Sequence, residues 1–121
     1  MHQRPGIATV GTVHDVIDNL ELRRFEILDG DELGAIAEYD LLDDSIVFTH
    51  TETMPGHEGR GVAKRLVTAA LGQARQRGLS VVPVCPYVRK VIADNPSLYL
   101  DLVPRAARSK FGLPDDPPPS P

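Results

Sequence analysis

Three stretches of this chain combine residue types that can do chemistry. The first is Met54-Pro55-Gly56-His57-Glu58-Gly59-Arg60-Gly61-Val62-Ala63, with three glycines in six positions. Glycine reaches positive φ and lets a ligand approach the backbone closely. A helical pattern follows directly, and the first turn of a helix offers unpaired N–H groups at the positive end of its dipole. Together they make an anion site suited to phosphate, with a plain turn and helix start as the alternative. The second is Cys85, which ends an apolar run just before Pro86. A helix N-terminus there would lower the thiol pKa and favour a nucleophilic thiolate; otherwise Cys85 is a small buried hydrophobe. The third is His50, alternating with Ile46 and Phe48 and so expected on their face. It suits a general base or an activator of Cys85, or else a satisfied core histidine.

These residues need elements to hold them. Arg23 to Leu28 alternates Phe25 and Ile27 before the turn residues Asp29-Gly30-Asp31. Leu33 to Leu42 reads as a second strand whose facing stays open, because Ile36 alternates with Glu38 and Asp40. After Asp43-Asp44, Ser45 to Thr53 is a third strand, completing an antiparallel meander. From Arg60 to Arg77 the period changes. Val62, Leu66, Val67, Ala70 and Ala74 line one stripe, and Gly78 stops the helix. Ser80 to Cys85 is a short buried strand. Pro86 to Asp94 is a second helix, opened by its proline, and Ser97 to Val103 a last helical turn. The order βββ-α-β-α, with a strand–helix–strand crossover, predicts an α/β sandwich on a mixed sheet.

Pro83 does not fit a central strand, since proline removes a ladder donor. If 80–85 lies beside 45–53, the two strands must part near Pro83 and leave a slot with free backbone groups. The other reading is a simple edge strand.

The 121 residues, 41% apolar and 25% charged, fit one domain. Residues 1–16 are weakly patterned, and 104–121 hold six of the eleven prolines, so a disordered or polyproline-like tail is expected around a folded part at 17–103. No apolar run approaches the ~18 residues of a membrane span. Met1 to Gly6 shows no apolar h-region after its single Arg, and a lone cysteine suits a reducing compartment, so a cytoplasmic protein is expected. A net charge of −4 argues against non-specific nucleic-acid binding. That charge is uneven: residues 1–59 hold 13 acids and 3 bases, residues 60–121 hold 4 and 10. The acidic half suits a cationic partner and the basic half an anionic one, unless solvated faces merely differ.

The glycine loop is neither of two common phosphate motifs. Val62 rather than Lys follows Gly61, and GxxGxG after a meander is not the dinucleotide fingerprint GxGxxG. It resembles the pyrophosphate loop of the GNAT superfamily of acetyl-CoA-dependent N-acetyltransferases, [RQ]xxGx[GA], departing only at Gly56, where a side-chain phosphate contact is lost. Phe25-Glu26, Glu38-Tyr39, His50-Thr51, Gly59-Arg60-Gly61 with Leu66-Val67, and Val82-Pro83-x-Cys85-Pro86-Tyr87-Val88 are similar to the small single-domain subfamily, in that order over about 17–103.

The resemblance implies a mixed, mostly antiparallel splayed sheet with helices packed on it. It implies pantetheine between 45–53 and 80–85, paired with the main chain of Thr51, Glu52 and Thr53. The loop residues Gly56, His57 and Glu58, with the amides of Gly59, Arg60, Gly61, Val62 and Ala63, would hold the pyrophosphate. The side chains of His57 and Glu58 themselves read as solvated. Lys64, Arg65, Arg89 and Lys90 are candidates for the ribose phosphate, each otherwise a solvated base. The implied activity is acetyl transfer from acetyl-CoA to an amine of a small molecule or protein. Its chemistry would use His50 either as base for direct transfer, the usual mode in the wider superfamily, or as activator of Cys85 as acetyl carrier. Tyr87 would be proton donor to the coenzyme thiolate, packing being the other role for Tyr87. The alternatives are a non-catalytic acyl-CoA binding or sensing module, and an adaptor using its proline-rich tail. The chain is expected to lack the N-terminal strand and helices that shape the acceptor site in larger members.

Overall fold

A computed structural model describes residues 8–9 and 16–116. Six strands form one sheet in sequence order: β1 (Ala8–Thr9), β2 (Val16–Asn19), β3 (Arg24–Asp29), β4 (Glu32–Leu42), β5 (Ser45–Thr53) and β6 (Ser80–Pro83). Neighbours from β1 to β5 are antiparallel, and β5–β6 is parallel. A parallel pair needs a crossover, which α1 (Val62–Gln76) supplies. The helix α2 (Pro86–Asp94) follows β6, then α3 (Pro96–Tyr99) and a 3-10 turn at Leu100–Leu102. The fold is thus mixed α/β on a mostly antiparallel sheet, as expected.

One face of the sheet is the core. Val16, Phe25, Ile27, Ala35, Ala37, Tyr39, Ile46 and Phe48 are all buried there. Ala35 and Ala37 are small residues of β4 on the side of α1, whose expected stripe of Val62, Leu66, Val67, Ala70 and Ala74 is buried and which packs on β3, β4 and β5. Val88, Val91 and Ile92 of α2 join the same core. The facing of β4, open in the sequence, is settled by cross-strand pairing: Ala37 stands opposite Phe25 and Ala35 opposite Ile27. The other face carries Arg24, Glu26, Glu38, His50 and Glu52, half-buried or exposed. No helix among the described residues is long and apolar enough to cross a membrane.

Three expectations change. A strand at Val16–Asn19 precedes the expected first one. It was hidden because one of its two inward positions, beside Val16, is the fully buried Asp18, which breaks apolar alternation. Asp18 accepts from Tyr39 Oη at 2.6 Å and from Arg77 Nη2 at 2.8 Å, so a buried carboxylate is satisfied from β4 and the end of α1. Burial, then the Asp18 carboxylate, pushes the Tyr39 phenol well above its ordinary value.

The described part of the tail is also structured. The helix α4 (Arg105–Arg108) and a 3-10 turn at Ser109–Phe111 fold back, and Leu113 enters the core. Arg108 is buried, donating to Val103 O at 2.9 Å and to Asp115 O. Proline content concealed this, because the anchoring residues are Arg108 and Leu113 rather than an apolar run. The remainder of the expected N-terminal and C-terminal segments lies outside the described residues. Lastly, the strand 80–85 stops at Pro83, and Cys85 becomes the N-cap of α2.

Candidate functional site

The loop between β5 and α1 uses its glycines for conformation. Gly56, Gly59 and Gly61 have φ of 88°, 76° and 74°. A Cβ at any of them would meet nothing within 4 Å, so positive φ rather than crowding calls for glycine. Gly61 caps α1 in the left-handed region with no side-chain cap and no acid in the first turn. The first helical bond runs from Arg65 N to Gly61 O at 3.1 Å, which leaves the amides of Val62, Ala63 and Lys64 without helical acceptors. The amide of Gly56 is not free, because Glu58 Oε1 accepts from it at 2.9 Å.

These amides border a concavity of about 220 Å³ lined by Thr53, His57, Gly59, Gly61, Val62, Ala63, Lys64 and Tyr87. A second, of about 190 Å³, shares Lys64 and Tyr87 and adds Lys90, Val91, Asp94 and Asn95. Uncapped amides, a helix N-terminus and adjoining lysines fit a diphosphate. Lys64 has no ion-pair partner among the described residues. Lys90 is held by Asp94 at 2.7 Å, a hydrogen bond that raises its pKa. Arg89 turns to Val84 O at 2.9 Å, and Arg65 is exposed on α1. A larger cavity of about 530 Å³ lies at the other end of α1, around Arg75, Asp101 and Arg105, roughly 20 Å away along a helix of this length.

The side chain of His57, expected to be solvated, is a strut instead. Its ring is only 12% exposed, with Nδ1 2.8 Å from Asp29 Oδ2 and Nε2 3.1 Å from Glu32 Oε1. Arg60 also turns away from the concavity, with Nε 2.6 Å from Asp29 Oδ2. The Asp29 hydrogen bond raises the pKa of His57, and the same bond lowers that of Asp29. Locally Asp29 is only a turn residue and Glu32 carries no signal; they sit 28 and 25 residues from His57, and no local spacing pairs them with it.

Pairing between β5 and β6 stops at Pro83, and β6 is also the edge strand of the sheet, so both readings of Pro83 describe it. The last paired residues of β5 and β6 are Phe48 and Pro83. Proline has no N–H, and Phe48 O accepts instead from Cys85 N at 2.8 Å. Beyond that point Thr49 to Thr53 keep β4 on one side and, among the described residues, have no strand on the other. The Sγ of Cys85, at the end of the slot, is 3.3 Å from Thr51 Oγ1, and the residue is 3% exposed. Tyr87 stands further along, at the cradle.

The expected pairing of His50 with Cys85 is not formed. Glu38 opposes His50 while its neighbour Tyr39 opposes Phe48, so Thr49 is an extra residue in β5. Consecutive residues of β4 point to opposite faces, hence so do Phe48 and His50. The bulge sends His50 and Glu52 to the open face and turns Thr51 and Thr53 toward the helices. His50 Nε2 lies 3.1 Å from Glu52 Oε1, with both side chains 53% exposed. The His50-x-Glu52 spacing was legible as a same-face strand pair. Thr51 as the neighbour of Cys85 was not.

Comparison with known proteins agrees with this arrangement. The sequence profile of the GCN5-related N-acetyl-transferase family matches residues 24–102. The chain is similar to Protein NATD1 of Gallus gallus, 32% identical over 98 residues that cover 78% of this chain and 89% of that protein. Protein NATD1 of Bos taurus is 32% identical over 94 residues, covering 76% and 83%. That of Homo sapiens is 34% identical over 76 residues, covering 61% and 67%. The profile spans β3 to β6, the glycine loop, α1 and α2 alike, and the chain belongs to the GCN5-related N-acetyltransferase family.

Proposed function

We propose that this protein is an acetyl-CoA-dependent N-acetyltransferase that acts on an amine of a small molecule or protein. The observation that carries this reading is the splay: the unpaired edge of Thr49 to Thr53 leads straight into uncapped amides at the start of α1. An extended pantetheine arm can add to that edge as a strand would, through the main chain of Thr51 to Thr53. The amides of Gly59 to Ala63 would hold the pyrophosphate, and Lys64, which lines the same concavity and has no ion-pair partner among the described residues, suits the ribose phosphate. Tyr87 lines the cradle, a position that favours holding the coenzyme over protonating its thiolate.

Bound acetyl-CoA would supply a thioester, and the chain must then provide a neutral amine and a polarised carbonyl. His50, oriented by Glu52 beside the bulge, is the residue able to take the amine proton. Main-chain groups at Thr49, outside the regular ladder, are suited to the carbonyl oxygen. Glu38 and Glu52 flank His50 and suit a cationic acceptor before it is deprotonated. The single cysteine supports a cytoplasmic location.

An acetyl-CoA-consumption screen across polyamines, amino acids and lysine peptides tests the proposal. Turnover with an amine, lost in Gly61→Val, is the expected result. Coenzyme binding without turnover on any amine would leave a binding module, and no binding would remove both.

A further inference from the structure

The two ring nitrogens of His57 both face carboxylate oxygens, Nδ1 toward Asp29 and Nε2 toward Glu32. An ionised carboxylate only accepts, so both contacts are hydrogen bonds only if both nitrogens carry protons. A neutral ring would donate one bond and point a lone pair at the other carboxylate. The geometry therefore assigns the imidazolium to this loop.

What the ring ties together is also specific. Asp29 and Glu32 flank the β3–β4 turn, whereas His57 lies in the middle of the glycine loop. Within that loop the fixed contacts are His57 N to Met54 O and Gly56 N to Glu58 Oε1, and α1 begins without a side-chain cap. Three residues at positive φ give such a segment many alternative shapes, and the clamp to the hairpin selects one. The charges act in the same direction. Asp29 and Glu32 from the hairpin, with Asp31 in the same turn, and Glu58 from the loop are negative. His57 and Arg60 from the loop and Lys64 from α1 oppose them. Loss of the His57 proton would loosen the loop and enlarge by one unit the excess of negative charge beside an anion site.

We propose that His57 is a positioning residue for the coenzyme diphosphate: as an imidazolium between Asp29 and Glu32 it holds the glycine loop in its binding shape, and affinity falls when it loses its proton. This rests on the reading of the loop as the pyrophosphate cradle. The Asp29 hydrogen bond, which keeps the ring protonated above the ordinary value of 6.5, places the change on the alkaline side of it.

Calorimetric titration of the full chain with dephospho-CoA decides the matter, because its diphosphate has no phosphate proton to lose near neutrality. Wild-type affinity should fall about tenfold as pH rises from about 6 to 9, following one proton. His57→Gln should bind weakly throughout with no such dependence. Glu32→Gln, at a 77%-exposed side chain, leaves the fold undisturbed and should move the midpoint to lower pH, so the test stands even if His57→Gln folds poorly. An unchanged midpoint in Glu32→Gln, or equal affinity and pH profile in His57→Gln and wild type, overturns the inference and leaves the cradle standing. Failure of the wild type to bind either dephospho-CoA or CoA overturns both.

Discussion

The hydroxyl of Thr51 lies 3.3 Å from the thiol of Cys85, across the point where β5 and β6 stop pairing. A threonine hydroxyl does not act as a base at neutral pH, and His50, which would, faces the other side of the sheet. Among the described residues no basic side chain contacts the buried Cys85, whose side-chain partner is the Thr51 hydroxyl. Transfer is therefore expected to be direct. Incubation with acetyl-CoA should leave the intact mass of the protein unchanged, and Cys85→Ala should keep most of its turnover while losing about 1 kcal/mol of stability. A hydroxylamine-labile acetyl adduct that disappears in Cys85→Ala would reverse this assignment.

His50 and Glu52 should separate from the coenzyme site in kinetics. His50→Gln is expected to lower kcat about 100-fold with KM for acetyl-CoA little changed, the usual range for removal of a general base. Glu52→Gln should cost less, since it orients the ring without touching the amine. An equal loss in KM for acetyl-CoA would place His50 in coenzyme binding instead.

At Gly61 the requirement is conformational, since φ is 74° and space around a Cβ is open. Gly61→Val should cost roughly 1–3 kcal/mol, and Gly61→Asn much less because asparagine tolerates the left-handed region. With CoA near ~100 Kd, wild type should gain about 2.7 kcal/mol in thermal-shift analysis. Gly61→Val should lose most of that gain and Gly61→Asn keep it. Equal gains in all three would put the diphosphate elsewhere.

Tyr39→Phe removes a donor to a carboxylate with no solvent exposure. A loss of about 1–3 kcal/mol is expected, read as a lower urea midpoint at unchanged slope. Arg77→Ala should cost at least as much, because it leaves the fully buried Asp18 carboxylate without its counter-charge.

Thermal stability should plateau between two titrations at the His57 clamp. The raised pKa of His57 means its contribution is complete below 6.5 and lost as pH rises through the higher folded value. The lowered pKa of Asp29 means its contribution is complete above 3.8 and lost as pH falls through the lower folded value. His57→Gln should lack the alkaline decline. A melting curve series in which this variant and wild type decline alike above neutrality would contradict the clamp.

Much of this was present in local sequence. The strands at 24–29, 32–42 and 45–53, the stripe of α1 and the stop at Gly78 follow from period and punctuation, which depend on neighbours along the chain. Three glycines before a helix announced the cradle, and Pro83 announced the parting of β5 and β6, because a missing N–H is a property of the residue itself.

What the tertiary structure alone decided is where the side chains of β5 point. A period of two carries His50 onto the face of Phe48, and a single extra residue at Thr49 reverses it. That bulge is a count of β5 residues against β4 residues, so neither strand read alone contains it. The same holds for His57 with Asp29 and Glu32, and for Asp18 with Tyr39 and Arg77. Their partners lie 21 to 59 residues apart, and their burial and charge arise only when the hairpin, loop and helix end meet. Local sequence determined the elements and the backbone cradle; long-range register determined which histidine faces the open sheet and which one holds the loop.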